Sequence, residues 1–406
     1  MRNVFWPLAG TTTMQTVTAM MFLTVPVLAP AMADDVGFQP SHIGLYTALV
    51  FLGAMPVSLV MGALTSRFGA LRVMQVGMVL SACSLAASTS GILILVLVCG
   101  VVLGLGYGPN TPGASHILAR VAKPKDLALV FSIKQSGAPM GGFLAGIIVP
   151  LVVLNSGGGS GGGGWREALL VSAALGIAAA ILVQPLRAKA DDDRQPGRRL
   201  SVHGVWQQLR LLASHAPLRR LTFASFIFAE AQSCVFAFLV TYLVDHVGLD
   251  LVRAGMAFAA MNLIGVGARI FWGWIAGRFV RSAYVLAGLG VASALSVILV
   301  AQFESDWPYW GLITIAAAVG ATAASWNGVF LAEITRVAPK GQISAATGGS
   351  IFFTYFGLVV GPTMFSATIY LSGGYHVGFY AIAVAVLLAA LLILPRRDKV
   401  SGGVNS

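Results

Sequence analysis

This chain of 406 residues has few charged side chains. They make up 10% of the sequence, against 57% hydrophobic residues. A soluble domain carries about 25% charge, so a soluble body is excluded: a core could be buried, but no charged coat could cover it. Cysteine is nearly absent too. Cys83, Cys99 and Cys234 each fall inside an apolar run, without metal-ligand spacing, and read as small packing residues. No Walker loop, metal-binding histidine pair or nucleophile elbow occurs. An enzyme is therefore not expected, nor is a cofactor or a bound metal. The six histidines, His42, His116, His203, His215, His246 and His376, lie at the ends of apolar stretches or between them and read as surface residues.

What the chain has is long apolar runs. A membrane-spanning helix needs about 20 of them in a row. Twelve such stretches occur, at 8–32, 41–64, 72–90, 92–117, 127–153, 166–186, 219–244, 252–276, 282–302, 308–332, 343–370 and 375–395; they are numbered here as spans 1 to 12. None alternates as a barrel strand would, and backbone in lipid must satisfy its own hydrogen bonds, so all twelve are expected to be helices. The net charge of +11 raises nucleic acid as a partner, but its placement argues against that. With the N-terminus in the cytoplasm, every lysine and arginine falls on the cytoplasmic side except Lys134, Arg166, Arg253 and Arg269. The positive-inside rule then sets both termini in the cytoplasm. A positive residue, an apolar run and Ala31-Met32-Ala33 imitate a signal peptide. The run is too long for one and rich in threonine, so it reads as a retained first helix.

The chain repeats itself. Gly62-Ala-Leu-Thr-Ser-Arg67-Phe ends span 2 and Gly273-Trp-Ile-Ala-Gly-Arg278-Phe ends span 8; Ala122-Lys-Pro124-Lys125 enters span 5 and Arg336-Val-Ala-Pro339-Lys340 enters span 11. Spans 1–6 therefore correspond to spans 7–12. The expected organisation is a six-helix bundle at 1–186, a cytoplasmic linker at 187–217, a second bundle at 218–395 and a tail at 396–406. Asp191-Asp-Asp193 in the linker reads as a solvated charge run rather than a metal site. Gly157–Gly164, glycine apart from one serine, reads as a flexible outer loop, natural or engineered.

Twelve helices in two repeats around a basic central loop resemble the major facilitator superfamily. Gly62-Ala-Leu-Thr-Ser-Arg67-Phe-Gly69-Ala-Leu-Arg72 is similar to that family's loop motif, Gly-x-Leu-Ala-Asp-Arg-x-Gly-Arg-(Arg/Lys)-Arg, with Ser66 in place of the aspartate. Gly137-Ala-Pro139-Met-Gly141-Gly142 resembles the span 5 motif of antiporter members, although glycine and proline there also simply permit a bend and close packing. Gly100 stands where the family's drug/proton antiporters carry an arginine. The resemblance implies an all-α membrane protein of two pseudo-symmetric bundles, in which spans 1, 2, 4, 5, 7, 8, 10 and 11 line a central cavity.

Three charges remain deep in spans: Lys134, Glu230 and Arg269. Each costs roughly 2.5–3.5 kcal/mol or more at the bilayer centre, so each must face a cavity or a partner. At about 1.5 Å of rise per residue, Lys134 and Arg269 lie at similar depth, one from each half, and Glu230 lies near mid-span. Two cations facing one cavity call for an anion between them. Arginine grips a carboxylate with two parallel hydrogen bonds and lysine adds a point charge. Arg269, in span 8, is similar to the arginine that monocarboxylate and oxalate-type transporters carry there, although Gly265 stands where those carry an acid. Glu230 is the candidate proton carrier. Simpler roles stay open: Arg269 paired with Glu230, Lys134 snorkelling to the cytoplasmic surface, Glu230 held neutral in packing.

Polar neighbours extend the candidate site to Gln15, Tyr107, Asn110, Asn262, Trp326, Asn327 and Tyr355, while Gly62, Arg67, Gly69, Arg72, Gly137, Pro139, Gly141 and Gly142 are the candidate gating residues. The expected protein is a monomeric secondary transporter of the inner membrane, lipid-embedded and with no nucleic-acid partner. It would move a small carboxylate by alternating access, with the proton as coupling ion; export of drugs or other amphipathic compounds is the alternative.

Overall fold

The structure is a computed structural model and describes residues 2–37, 39–122, 127–156, 164–197, 205–276, 279–339 and 343–394. The glycine-rich stretch 157–163, part of the linker, Gly277-Arg278 of the second loop motif and the tail 396–406 lie outside the described residues. The described chain is helical throughout, with one isolated bridge between Ala276 and Val280. Among the described residues eleven helices are long and apolar enough to cross a membrane, and a shorter apolar segment, His42–Val57, lies within Pro40–Phe68 and completes the expected twelve spans.

Three spans are each made of two helical segments. Span 4 is Leu93–Tyr107 and Asn110–Val121, span 5 is Leu127–Gln135 and Gly137–Asn155, and span 10 is Tyr309–Thr322 and Asn327–Val337. Span 4 breaks at Gly108-Pro109, where proline brings no N–H to the helical ladder. Each break falls beside the central cavity, where backbone groups can find partners other than lipid. Span 1, Arg2–Val36, instead carries Pro7, Pro26 and Pro30 inside one continuous helix.

The outer ends close tightly. Gly146 of span 5 and Gly255 of span 8 meet backbone to backbone: a Cβ on Gly146 would lie 2.6 Å from the Gly255 carbonyl oxygen, and one on Gly255 would lie 2.6 Å from Pro150 Cγ. Gly44 of span 2 packs in the same way against Pro362 and Ser366 of span 11. The two halves thus touch on the side that the arginine distribution assigns to the exterior. At the outer end of spans 1 and 6, Trp165 Nε1 donates to Asp35 at 2.9 Å and Arg166 pairs with Asp35 at 3.2 Å. The Trp165 hydrogen bond and then Arg166 hold that carboxyl below its usual range.

The linker corrects the expectation of a solvated charge run. Asp191 is 5% exposed. Its carboxylate accepts the backbone N–H groups of Leu71 at 2.8 Å and Arg72 at 3.0 Å, capping the helix Ala70–Ser88 from a distant part of the chain. This explains Gly69, which has φ +96° and has the Asp191 carboxylate where its own Cβ would stand. Gln195 N donates to the Ser66 carbonyl at 2.6 Å. The loop whose motif lacks its aspartate is thus met by an aspartate from the linker. Asp193 pairs with His116 at 2.7 Å and with Arg120 at 2.9 Å, and Arg120 also pairs with Asp192. The Arg120 guanidinium holds the Asp192 carboxyl below its usual range. That pair therefore persists above the ordinary carboxylate pKa and is lost only as pH falls through the lowered value. Asp191→Ala is expected to cost about 0.5–2 kcal/mol, the usual value of a helix cap, and to speed tryptic cleavage at Arg67 and Arg72 several-fold. Unchanged cleavage would show that the linker does not hold the loop.

Candidate functional site

A cavity of about 430 Å³ lies between the halves, on the cytoplasmic side of the outer closure. Small-molecule pockets run roughly 300–1,000 Å³. Of the residues expected at the site, it brings together Gln15, Tyr107, Lys134, Arg269, Trp326, Asn327 and Tyr355.

Lys134 is 1% exposed and Arg269 is 7% exposed. Lys134 does not snorkel. Its Nζ donates to Gln15 Oε1 at 2.8 Å, Gln135 Oε1 at 3.1 Å and Thr111 Oγ1 at 3.4 Å. Arg269 Nε donates to the Ala324 carbonyl at 2.8 Å and its Nη1 to the Gln135 carbonyl at 3.1 Å. Gln135, the last residue before the break in span 5, therefore serves both cations, one through its side chain and one through its backbone. The break makes this possible, because a carbonyl inside an unbroken helix is already engaged. All these partners are neutral; among the described residues neither cation forms an ion pair. An unpaired buried cation costs several kcal/mol, and two share this wall.

Three expected members stand elsewhere. Glu230 is half-buried and does not line the cavity. Span 7 presents Ala229, Gln232, Ser233 and Phe236 to the cavity. Phe226 and Glu230, four residues apart and so on one helix face, turn to span 11, where Gly357 and Gly361 receive them. Asn110 is buried just past the span 4 break and donates to the Met14 carbonyl at 3.4 Å; Thr111 and Ser115 line the cavity instead. Asn262 is fully buried between spans 8 and 5, beside Gly142, and donates to the Phe258 carbonyl at 2.9 Å. It does not line the cavity with Arg269 seven residues on. The span 5 motif is a packing surface in this state: Gly137 and Gly141 admit span 1, Gly142 admits Asn262, and Pro139 is buried. In the loop motif, Arg67 lies over the Phe68 ring at 5.3 Å, and Gly62 is within the helix Pro40–Phe68.

Sequence reasoning missed Gln232 and Gln135. Gln232 Oε1 accepts from Trp326 Nε1 at 3.0 Å and Asn327 Nδ2 at 3.2 Å, tying span 7 to span 10. Both are polar residues in apolar spans, the signal that marked Gln15. Glu333 was missed as well: it is 3% exposed and paired with Arg336 one turn away. The rest of the wall is aromatic. Phe51 meets Phe22 at 5.2 Å, Tyr107 at 6.0 Å and Tyr355 at 6.2 Å between ring centroids. The cavity thus offers cationic and amide donors on one side and ring faces on another.

Comparison with known proteins agrees with this architecture. The family model described as Major Facilitator Superfamily matches residues 12–362. A hexuronate transporter of Bacillus subtilis (strain 168) is 23% identical over 93% of this chain and 93% of its own length. A gentisate transporter of Corynebacterium glutamicum is 22% identical over 72% of this chain and 64% of its own. Among solved structures, a bacterial homologue of the human lysosomal transporter Spinster, in an inward-facing and unoccupied conformation, superposes with a TM-score of 0.74 at 16% identity, covering 96% of both chains.

Proposed function

The chain belongs to the major facilitator superfamily, a multi-pass membrane transporter rather than an enzyme, and we propose that its cargo is a small organic anion bearing a carboxylate and a ring. The carrying observation is the pair of buried cations, Lys134 and Arg269, which have no acidic partner among the described residues and are joined through Gln135. A carboxylate entering between them would replace neutral acceptors with charged ones, and charge-assisted hydrogen bonds are about twice as strong as neutral ones. The Phe22, Phe51, Tyr107 and Tyr355 rings suit the remainder of the molecule. Relatives named for hexuronate and gentisate, both carboxylates, support the same class.

Transport would follow from two alternating arrangements of the halves in the inner membrane, the outer closure through Gly146 and Gly255 being one of them. Glu230 is the proposed proton carrier. Because it lies between spans 7 and 11 rather than in the cavity, its charge would bias the packing of those spans and reach the anion only through the conformational equilibrium. Efflux of amphipathic compounds is the second reading, and the aromatic wall is the feature that suits it.

Uptake by proteoliposomes separates the two. A panel of hexuronate, gentisate and simple monocarboxylates, offered with and without an inward proton gradient, should contain a transported substrate that competes with other carboxylates and not with cationic dyes. Transport of cationic amphiphiles with no carboxylate carried would overturn the anion reading. Glu230→Gln should transport down a gradient yet lose proton-driven accumulation; retained accumulation would move the coupling elsewhere.

A further inference from the structure

Two histidines that read as surface residues in the sequence converge at the outer end of the second half. His246 follows the helix Ala216–Asp245, Glu304 lies in the loop after the helix Ser282–Val300, and His376 opens the helix His376–Ile393. One ligand atom from each lies within 4.8 Å of those of the other two. The imidazole rings of His246 and His376 sit 4.6 Å apart, edge to face. We propose that these three side chains form a binding site for Zn²⁺ at the extracytoplasmic face.

Three observations favour a metal over an ordinary polar cluster. First, among the described residues His246 Nε2 is buried without a hydrogen-bond partner, and Glu304 Oε2 lies 3.6 Å from it, within ion-pair range and just outside hydrogen-bonding reach. A buried nitrogen without a partner is rare and needs a reason. Second, His376 Nδ1 is hydrogen-bonded to the Ala301 carbonyl. A carbonyl only accepts, so Nδ1 carries a proton and Nε2 is the ring nitrogen left to take a metal. Metal-binding histidines are held in this way, the other ring N–H donating to a carbonyl or carboxylate. Third, the His246 ring is held in place by stacking on Tyr242 at 5.3 Å and 9°. Tyr242 is itself anchored by its hydroxyl to the Val300 and Phe303 carbonyls. The two imidazoles are thus oriented before any ion arrives.

The donor set selects the ion. Two imidazoles and one carboxylate suit zinc, with water in the fourth position. Calcium and magnesium require mainly oxygen ligands. Zinc–nitrogen distances of about 2.0–2.1 Å place neighbouring ligand atoms about 3.3 Å apart, so the side chains must close by at most roughly 1.5 Å from their separations of up to 4.8 Å. Glu304 Oε2 is already 3.6 Å from His246 Nε2, and its exposed side chain is free of packing that would oppose a change of rotamer. All three ligands belong to one half, so the ion would staple spans 7, 9 and 12 together without bridging the halves.

The test uses the full-length protein with a purification tag free of histidine. Zinc is titrated by calorimetry and followed by thermal unfolding, with Mg²⁺ and Ca²⁺ as controls. The expected result is one bound Zn²⁺ per chain and a rise in Tm of about 3–6 °C at saturation, neither seen with the controls. His246→Ala and His376→Ala should abolish both effects, and Glu304→Gln should weaken binding about 10-fold or more while leaving the Tm of the zinc-free protein unchanged. Because Glu304 is exposed, that variant guards against loss of folding as the explanation. Absence of binding, or binding that survives in the three variants, would overturn the proposal.

Discussion

Arg269→Ala is expected to cut carboxylate transport severely, lowering kcat/KM by about 30-fold to more than 1,000-fold. Removing one partner of a buried, hydrogen-bonded charge pair costs about 2–5 kcal/mol, and each 1.4 kcal/mol is a factor of ten. Arg269 also has a structural part, since its guanidinium ties span 8 to the Ala324 carbonyl of span 10 and the Gln135 carbonyl of span 5. The conservative variant separates the two contributions. Arg269→Lys keeps the charge and one donor but loses the planar fork. It should retain the Tm of the parent to within a few degrees and still lose about 10- to 100-fold in transport, mainly through KM. Lys134→Ala should lower transport less, since lysine contributes a point charge and Gln15, Gln135 and Thr111 remain as neutral contacts. If Arg269→Lys transports as well as the parent, the arginine holds helices together and does not hold cargo.

The second large effect is expected far from any charge. Gly255→Leu should reduce transport to below about 5% and leave the outer side open. A Cβ at this position already meets Pro150 and the Gly146 backbone, and backbone cannot yield as a flexible side chain would. Overpacking costs about 1–3 kcal/mol for added methylenes, and a coupling of that size moves a two-state equilibrium by about 5- to 150-fold. The variant should therefore remain folded, because the strain is relieved by separating the halves. A cysteine introduced at the outer face of span 5 would then react with an impermeant reagent applied from outside faster than in the parent. Parent-level transport with unchanged labelling would mean that spans 5 and 8 do not close here during the cycle.

How far the site was legible in the sequence differs residue by residue. Lys134 and Arg269 were legible because burying a charge in lipid leaves few alternatives, and both line the cavity. Glu230 obeyed the same cost but found a different shelter, against Gly361. Hydropathy reports depth in the membrane and says little about direction around the helix, so it could not distinguish the cavity from a helix interface. Asn110 misled for a related reason: the break at Gly108-Pro109 interrupts the helical register of span 4, so a polar residue just past it does not keep the direction of those before it. Asp191 was misread because a run of three aspartates ordinarily belongs in water, and its partners, the N–H groups of Leu71 and Arg72, lie some 120 residues away in the chain.

The sequence by itself determined the solvent, the number of spans, their orientation and their duplication. All four follow from one-dimensional quantities: the length of apolar runs, the side on which arginines fall and the recurrence of a motif. Only the tertiary structure decided which polar groups share a cavity, which glycines close the outer side and which histidines meet. Those are angular and long-range relations between helices, set by packing at backbone contacts such as Gly146 with Gly255, and no local pattern encodes them.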